Sequence, residues 1–186
     1  MMLQSAKLKI RNKVRIKKGN TIRFLGKAHI RKCDISIRGN NNQLIIGNNV
    51  NIKGSTIEID GENCSISINE DCVIGEGCYI SCRERNINIT IGHSCMFSRN
   101  VKIMTSDGHD ILSGSERINP AQNIHIGNSV WLADEVIILK GVTIDDGAIV
   151  GIRSLVTKNI PQKTVSAGSP ARVVKENTHW KETLTY

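Results

Sequence analysis

One histidine of the chain lies in a setting that suits acid–base chemistry. His109 follows Asp107 and Gly108 and precedes Asp110 in the stretch T-S-D-G-H-D-I. A neutral imidazole is the usual general base for a hydroxyl group near pH 7, and a nearby carboxylate could orient its ring. We therefore expect His109 to be the catalytic base. Asp107 or Asp110 either holds the imidazole or only solvates the loop, and the sequence leaves both open.

The remaining histidines and the cysteines do not form a metal-binding pattern. The other histidines are interpreted as surface residues: His29, His93, His125 and His179. No two histidines lie four or five residues apart, and no C-x-x-C pair is present. Zinc sites in proteins usually show such spacings. No metal site is therefore predicted.

A repeat of six residues predicts the elements that must position His109. From Ile126 onward, an aliphatic residue opens each block, and a smaller residue follows four positions later. The opening residues are Ile126, Leu132, Ile138, Ile144, Val150 and Val156, and the smaller ones are Val130, Val136, Val142, Ala148 and Ser154. A period of six fits neither a helix nor a plain strand. It is typical of a β-solenoid, whose short strands point apolar side chains into a narrow axis.

Trp131 closes the first block after the loop, I-G-N-S-V-W. A large aromatic ring does not fit inside a narrow solenoid, so Trp131 is expected to face outward. Aromatic residues make up only 3% of the chain. An exposed tryptophan in such a chain indicates contact with a ligand or with a neighbouring subunit.

The pattern divides a single domain, 1–186, into five parts. Earlier blocks are less regular, with slips near residues 60–66 and 82–90 that are interpreted as loops or enlarged corners. The parts are irregular basic coils (1–45), solenoid (46–103), an active-site loop (104–125), regular solenoid (126–160) and a C-terminal cap formed by a short tail or helix (161–186). A long polar loop inside a compact repeat is usually functional.

The composition bounds the core and the cellular compartment. With so few aromatics, the core must consist of Ile, Val, Leu and Cys. Cys72, Cys78 and Cys95 occupy the slot that Val and Ala hold in later blocks, so they are expected to be buried thiols. No signal peptide and no apolar run of membrane length are visible. Reduced core thiols predict a cytoplasmic protein.

The net charge of +8 is concentrated at the N-terminus. Residues 1–38 hold twelve Lys or Arg and one acid, and charged residues alternate with apolar ones from Lys7 to Lys17. This alternation predicts a strand with a cationic face. Such a face could bind a polyanion or, peripherally, an anionic membrane, or it could be a solvated edge that prevents aggregation. Nucleic acid is not expected, because stacking aromatics are nearly absent there.

Several motifs resemble those of a known family. The blocks around the loop, the restart I-H-I-G-N-S-V-W-L-A and the ending A-G-S-P-A-R-V-V are similar to those of the left-handed β-helix acyltransferases, tightly over residues 91–175 and loosely over 1–90. The most similar branch contains the acetyl-CoA-dependent O-acetyltransferases of sugars and bacterial polysaccharides, among them galactoside, maltose and sialic-acid capsule O-acetyltransferases. The resemblance implies an all-β fold, a left-handed parallel β-helix with a protruding loop.

The resemblance also implies a homotrimer with active sites between subunits. His109 matches the catalytic histidine, and Trp131 matches the tryptophan that flanks the acetyl donor. Small corner residues would line the pantetheine groove, and a group near the end of the repeat would meet the nucleotide and phosphates of acetyl-CoA. The groove residues are Ala133, Ala148 and Gly151, and the nucleotide group is Lys158, Gly168, Pro170 and Arg172.

The predicted function is O-acetylation of a carbohydrate with acetyl-CoA as co-substrate. The acceptor is expected to be a bacterial surface polysaccharide, such as a capsule or O-antigen, with sialic acid among the candidates. Galactoside-type enzymes carry an active-site Asn where this chain has Ser81-Cys82-Arg83, which favours the polysaccharide-modifying relatives. A backbone N–H near Trp131 or Ala133 is expected to stabilise the oxyanion. The alternatives are N-acetylation of an amino sugar or nucleotide sugar and, more distantly, a non-catalytic solenoid scaffold.

Overall fold

The computed structural model describes residues 2–183, with side chains described from Lys7 onward. The predicted C-terminal cap therefore ends with three residues, 184–186, that lie outside the described range. Within that range the chain forms one helix and 23 strands. They are α1 (Met2–Arg11), β1 (Lys13–Ile16), β2 (Thr21–Phe24), β3 (Ala28–Arg31), β4 (Asp34–Asn40), β5 (Gln43–Ile46), β6 (Val50–Lys53), β7 (Thr56–Glu62), β8 (Ser65–Ile68), β9 (Val73–Ile74), β10 (Tyr79–Arg85), β11 (Asn88–Ile91), β12 (Met96–Phe97), β13 (Lys102–Met104), β14 (Leu112–Ser113), β15 (Glu116–Arg117), β16 (Ile124–Ile126), β17 (Trp131–Leu132), β18 (Ile137–Ile138), β19 (Thr143–Ile144), β20 (Ile149–Val150), β21 (Leu155–Val156), β22 (Val165–Gly168) and β23 (Ala171–Lys175).

The strands wind into a parallel β-helix with three faces. Face A contains β1, β4, β7, β10, β13, β18 and β21; face B contains β2, β5, β8, β11, β16 and β19; face C contains β3, β6, β9, β12, β17, β20 and β22, with β23 added antiparallel at its end. Each strand pairs in parallel with the strand one coil away. The predicted parallel solenoid is therefore confirmed.

Aliphatic side chains stack along the axis in registered columns. On face A, one column joins equivalent positions of successive coils, and all of these side chains are fully buried: Ile35, Ile57, Ile80, Ile103 and Ile138. The six cysteines of the chain are buried and free of disulfide bonds. The axis is narrow, so stacked Ile, Val and Cys fill it without large aromatics other than Phe97.

The coils are wide at the N-terminal end and minimal at the C-terminal end. Ile137 lies beside Leu155, which is the spacing of three blocks of six residues. In the earlier coils, the face A strands β4, β7 and β10 are each seven residues long and extend into the corner between faces A and B. The slips near 60–66 and 82–90 are these enlarged corners.

Buried asparagines close the enlarged corners. The side chain of Asn42 is 1% exposed. Its amide donates to the carbonyls of Arg38 (2.6 Å) and Gly61 (2.7 Å), and its oxygen accepts from the amide of Cys64 (2.8 Å). One asparagine therefore satisfies three backbone groups that the sharp corner leaves without partners.

The N-terminal segment differs from the prediction. Residues 7–11 belong to helix α1, and only Lys13–Ile16 forms the strand that alternation predicted across Lys7–Lys17. The helix buries Leu8 against the end of the solenoid, and it ends at Asn12, whose side chain donates to Leu8 O (2.8 Å). The helix thus covers apolar side chains at this end of the solenoid, as a cap does.

At the other end, the last coil continues past the predicted boundary at residue 160. Strand β22 adds to face C, and β23 folds back on it to form a hairpin. The turn contains a cis peptide bond between Ser169 and Pro170. Residues 176–183 form neither helix nor strand, so the described part of the cap is a hairpin and a tail.

Candidate active site

The loop that carries His109 replaces one corner between faces A and B. It leaves β13 on face A and returns at β16 on face B, and it contains the β14–β15 hairpin. At its base, the amide of Gln122 donates to the carbonyl of Thr105 (3.1 Å). The loop therefore begins and ends at a closed base and projects from the A/B corner.

Glu84, at the end of β10 in the coil before, anchors the loop. Its carboxylate accepts two hydrogen bonds from the guanidinium of Arg117 (2.7 and 2.9 Å), one from the hydroxyl of Ser106 (2.7 Å) and one from the amide of Ala121 (3.3 Å). The hydrogen bonds from Arg117, followed by those from Ser106 and Ala121, lower the pKa of Glu84 to about 2 despite partial burial. This carboxylate ties both ends of the loop to the solenoid.

Glu84 occupies a backbone position that favours glycine. It lies in register with Gly61 and, one coil further, with Gly39. The φ angle of Glu84 is 82°, in the left-handed region that non-glycine residues rarely adopt. This departure is visible in the sequence. The three aligned corners read R-G-N, D-G-E and R-E-R, and the corner that lacks glycine is the one whose glutamate anchors the loop.

Asn119 forms the interior of the loop. It is 7% exposed. Its side-chain amide donates to the carboxylate of Asp107 (2.8 Å) and to the carbonyl of His109 (2.8 Å), and its oxygen accepts from the amide of Ile111 (2.7 Å). Asn119 thus holds the backbone that follows His109 and the side chain of Asp107 that precedes it. No spacing signal marked this residue, because the repeat is absent from the loop.

The imidazole of His109 is exposed at the tip of this framework. Neither neighbouring carboxylate contacts the ring among the described residues. Asp107 accepts from Lys140 and Asn119, which lower its pKa in that order, and Asp110 pairs with Nε of Arg117 (2.9 Å). Of the two alternatives left open for Asp107 and Asp110, these contacts favour a role in holding the loop over a role in orienting the imidazole.

Arg83 lies beside the loop tip and was not predicted as a site residue. Within the stretch 81–83, the first two residues are buried and only Arg83 reaches the surface. A Cβ built on Gly108 would lie 3.8 Å from Nη1 of Arg83, while Nη2 pairs with Glu58 (3.1 Å). A cationic donor thus lies beside Gly108, the residue that precedes His109.

Trp131 faces outward from face C, as predicted. Its indole N–H donates to the hydroxyl of Ser98 in the preceding coil (3.3 Å). The ring of Trp180, from the C-terminal tail, lies against it with a centroid distance of 6.0 Å and a tilt of 44°. The A/B corner is opposite face C in a three-sided coil, so His109 and Trp131 are not neighbours within one chain.

A column of small residues descends from Trp131 along the edge of face C. Leu132, Val150 and Ser166 are in register, so the residues that follow them stack as well. These are Ala133, Gly151 and Ala167. A Cβ on Gly151 would lie 3.2 Å from the Cβ of Ala167, so a side chain at this position would crowd the column.

Two predictions for this region require correction. Ala148 is fully buried, its amide donates to Asp145 O (3.3 Å) and its carbonyl accepts from the amide of Trp131 (3.0 Å), so Ala148 cannot line a groove. The amide of Ala133 likewise donates to Val150 O (2.9 Å). The amides of Trp131 and Ala133 are therefore engaged in the coil and are not free to stabilise an oxyanion.

The residues predicted to meet the nucleotide divide into two groups. Gly168, Pro170 and Arg172 lie at the exposed hairpin that ends face C. Lys158 follows β21 on face A, so it lies on the same A/B corner as the His109 loop. One chain therefore does not bring Lys158 and Arg172 together.

The other histidines are exposed, and the N-terminal coils carry many unpaired cations. His29, His93, His125 and His179 are on the surface. Among the described residues, the N-terminal cations that form no ion pair are Lys7, Lys9, Arg11, Lys17, Lys18, Arg23, Lys27, Arg31 and Lys32. We call this set the basic end.

Residues 2–183 contain no group of three or more His, Cys, Asp or Glu side chains that could hold a metal ion. No helix among them is long and apolar enough to cross a membrane.

The chain is similar to known acetyltransferases. It is 34% identical over 140 residues to the polysialic acid O-acetyltransferase of Escherichia coli O1:K1 / APEC, which covers 74% of this chain and 44% of that protein. It is 33% identical over 143 residues to the polysialic acid O-acetyltransferase of Neisseria meningitidis, which covers 66% of each. The chain thus spans less than two thirds of the length of these curated relatives. No family model matches it.

Solved structures agree with this similarity. The crystal structure of the polySia specific acetyltransferase NeuO superposes with a TM-score of 0.76 at 30% identity, over 94% of this chain and 90% of that chain. The predicted fold class, a left-handed parallel β-helix of hexapeptide repeats, is thereby confirmed. Together with the exposed histidine of the anchored loop and the outward tryptophan of face C, these similarities show that the chain belongs to the left-handed β-helix family of carbohydrate O-acetyltransferases.

Proposed function

We propose that the chain transfers acetyl from acetyl-CoA to a hydroxyl group of a carbohydrate, and that the acceptor is an anionic bacterial surface polysaccharide. The observation that carries the proposal is the exposed imidazole of His109 on a loop whose backbone is fixed from three sides by Glu84, Arg117 and Asn119. A scaffold would need neither an accessible histidine nor a loop held so firmly.

The reaction requires one base and no covalent enzyme intermediate. The unprotonated ring nitrogen of His109 takes the proton of the sugar hydroxyl as its oxygen bonds to the thioester carbonyl carbon. Collapse of the tetrahedral intermediate breaks the carbon–sulfur bond, and the imidazolium returns the proton to the departing thiolate. The ester and free CoA leave. The thioester is already activated, so the residues have only to position the partners and move one proton.

We propose that the working unit is a trimer with its sites between subunits. His109 and Lys158 lie on the A/B corner, whereas Trp131 and Arg172 lie with face C and its terminal hairpin. If the A/B corner of one copy docks on face C of the next, the two groups of residues come together in one site. A closed ring of three such heterologous contacts contains three equal sites.

The donor would lie along the column of small residues. The groove beside Ala133, Gly151 and Ala167 runs parallel to the solenoid axis from Trp131 to the terminal hairpin. A pantetheine arm would follow these small side chains, with the thioester near Trp131. Arg172 at the hairpin and Lys158 of the adjacent copy would then meet the phosphates, since cations with several N–H donors bind phosphate oxygens well.

The acceptor is proposed from charge and from the relatives together. The basic end has a long row of unpaired cations, and Arg83 adds a cationic donor beside His109. Two similar proteins are named polysialic acid O-acetyltransferases, and polysialic acid is a polyanion. We propose an acceptor of this class, a polymer of acidic sugars.

The test is a panel of neutral and acidic bacterial glycans incubated with acetyl-CoA, with release of free thiol as the readout. We expect release with acidic polymers and a product acetyl group that mild alkali removes, as for an ester. An alkali-stable acetyl group would show N-acetylation instead. If the protein neither releases thiol nor binds acetyl-CoA, the proposed function is wrong and the chain is a non-catalytic scaffold.

His109→Ala should reduce transfer by about a hundredfold to ten-thousandfold, which is the usual contribution of a positioned general base. Acetyl-CoA affinity and oligomeric state should change little, because the imidazole is exposed and makes no contact within the described chain. The matched control is His29→Ala, which removes an exposed histidine from the first coil. Activity close to that of the unmodified protein in His109→Ala would contradict the mechanism.

A further inference from the structure

The C-terminal tail returns along the solenoid and ends its described path against Trp131. The amide and hydroxyl of Thr178 donate to the carbonyl of Lys163 (2.8 and 3.2 Å). Two residues later, the indole N–H of Trp180 donates to the carbonyl of Ser129 (2.6 Å). Lys163 and Ser129 lie at the corner between faces B and C, two coils apart, so the tail spans that corner.

The two tryptophans of the chain pack against each other at this point. Their ring centroids are 6.0 Å apart and their planes are tilted by 44°. This falls within the range in which aromatic pairs attract. Each indole also has its own hydrogen-bond acceptor, Ser98 for Trp131 and Ser129 for Trp180. The pair is therefore fixed by two hydrogen bonds as well as by its own contact.

The hydrogen bonds show on which side of Trp131 the tail packs. Ser129 precedes Trp131 on the face B side, whereas Ser98 lies where β12 ends, on the face A side. The column of Ala133 and Gly151 also lies on the face A side. Trp180 thus supports Trp131 from the side away from the proposed donor groove, and it leaves the groove side open.

We propose that Trp180 is a positioning residue for donor binding: it holds the indole of Trp131 at the groove in the orientation that acetyl-CoA requires. The role rests on the donor site proposed above. The unsupported indole of Trp131 could rotate away from the groove, and restoring its position would then cost part of the binding free energy of the donor. Trp180 itself need not touch the substrate.

Steady-state kinetics with Trp180→Ala test the role. We expect the KM for acetyl-CoA to rise by about threefold to tenfold, the range set by the attraction of an aromatic pair. The kcat should change less, because His109 lies on another element. Trp180→Phe should restore most of the affinity by replacing the aromatic support, and His179→Ala, which removes the exposed neighbour, should have no effect.

A double-mutant cycle separates positioning from a general structural effect. Adding Trp180→Ala to Trp131→Ala should produce no further rise in KM, because no indole remains to be held. An equal rise in both backgrounds, or an unchanged KM in Trp180→Ala, would overturn the proposal. The proposal would also be overturned if Trp180→Ala lowered the melting temperature of the solenoid as much as a core substitution does.

Circular dichroism tests the pairing without any reaction. Two coupled indoles give a far-ultraviolet exciton couplet, and either Trp131→Phe or Trp180→Phe should abolish it. Presence of the couplet in a protein that does not bind acetyl-CoA would contradict the proposed function and leave the pairing intact. Absence of the couplet in a protein that acetylates glycans would contradict the pairing alone.

Discussion

Glu84 combines a strained backbone with a side chain that accepts four hydrogen bonds from three loop residues. Removing its charge while keeping its shape, in Glu84→Gln, should lower the transfer rate by roughly tenfold, because an amide cannot hold Arg117 by two charge-assisted hydrogen bonds. The melting temperature should change little, since the loop adds nothing to the axis. Transfer kinetics beside a thermal melt would measure both effects.

A neighbouring ion pair provides the control for Glu84. Glu62 accepts from Arg85 (2.7 Å) on the solenoid surface, and within the described part of the chain it forms no ion pair with a loop residue. Glu62→Gln should therefore leave the transfer rate unchanged. Equal losses in the two variants would mean that surface charge, and not loop anchoring, sets the rate.

The same carboxylate predicts how the loop responds to acid. Because the pKa of Glu84 is lowered from 4.5 to about 2, its stabilising contribution is complete above pH 4.5 and is lost only as the pH falls towards 2. Pepsin, which is active in acid, could report this through cleavage near the exposed Leu112. We expect slow cleavage at pH 4 and fast cleavage at pH 2, and Glu84→Gln should be cleaved quickly at both.

At the residue scale, the sequence identified candidates but not their partners. The position of His109 in a polar interruption and the outward direction of Trp131 followed from the repeat. The partners of Asp107 and Asp110 did not, because Lys140 and Arg117 reach them across coils or across the loop hairpin. Ala148 was wrongly predicted to line the donor groove. A family resemblance identifies a region of the chain, whereas the register of the strands decides which side chains in that region face the axis.

At the scale of the element, the enlarged corners depend on asparagine. Asn42→Ala would leave a buried amide and two carbonyls without partners, and each such group costs about 1–3 kcal/mol. We expect a loss of about 3 kcal/mol in the free energy of unfolding, measured by urea denaturation. Asn40→Ala removes an exposed asparagine two residues away and should change stability by less than about 0.5 kcal/mol. Equal effects would contradict the role of the buried amide.

The elements were most predictable where the repeat is strict. Successive blocks after Ile126 each became one short strand on the next face, because period and burial agree there. Helix α1 was missed because alternation of Lys with Leu and Ile indicates a strand, whereas the helix buries Leu8 and leaves Ile10 exposed. The hairpin of β22 and β23 likewise depends on packing at the end of the solenoid, which the repeat does not encode.

At the scale of the molecule, His109 and Trp131 on different faces predict complementation between inactive copies. Trp131→Ala and His109→Ala should each retain only a small residual activity as homotrimers. Refolding them together in equal amounts should restore about a quarter of the unmodified activity, because each mixed ring contains one intact site of three. No recovery in mixtures that do form trimers would show that both residues act within one chain.

The basic end predicts that acceptor binding depends on salt. Raising the ionic strength from about 0.02 to 0.5 M should increase the KM for an acidic polymer by roughly tenfold or more, because screening shortens the reach of exposed charges to a few ångströms. The double variant Lys17→Glu and Lys18→Glu should show a higher KM and a weaker salt dependence. A KM that does not change with salt would contradict electrostatic capture.

The stacking of coils also places the basic end at a fixed distance from the reaction. The first coil, β1, lies four coils from β13, where the His109 loop begins, and coils are spaced by about 4.8 Å, so the two regions are about 19 Å apart. A single sugar cannot touch both. The solenoid would then set a minimum length for the acceptor. Short oligosaccharides would be poor acceptors however highly charged they are, and acetylation would begin only once the glycan is long enough to reach from the basic end to His109.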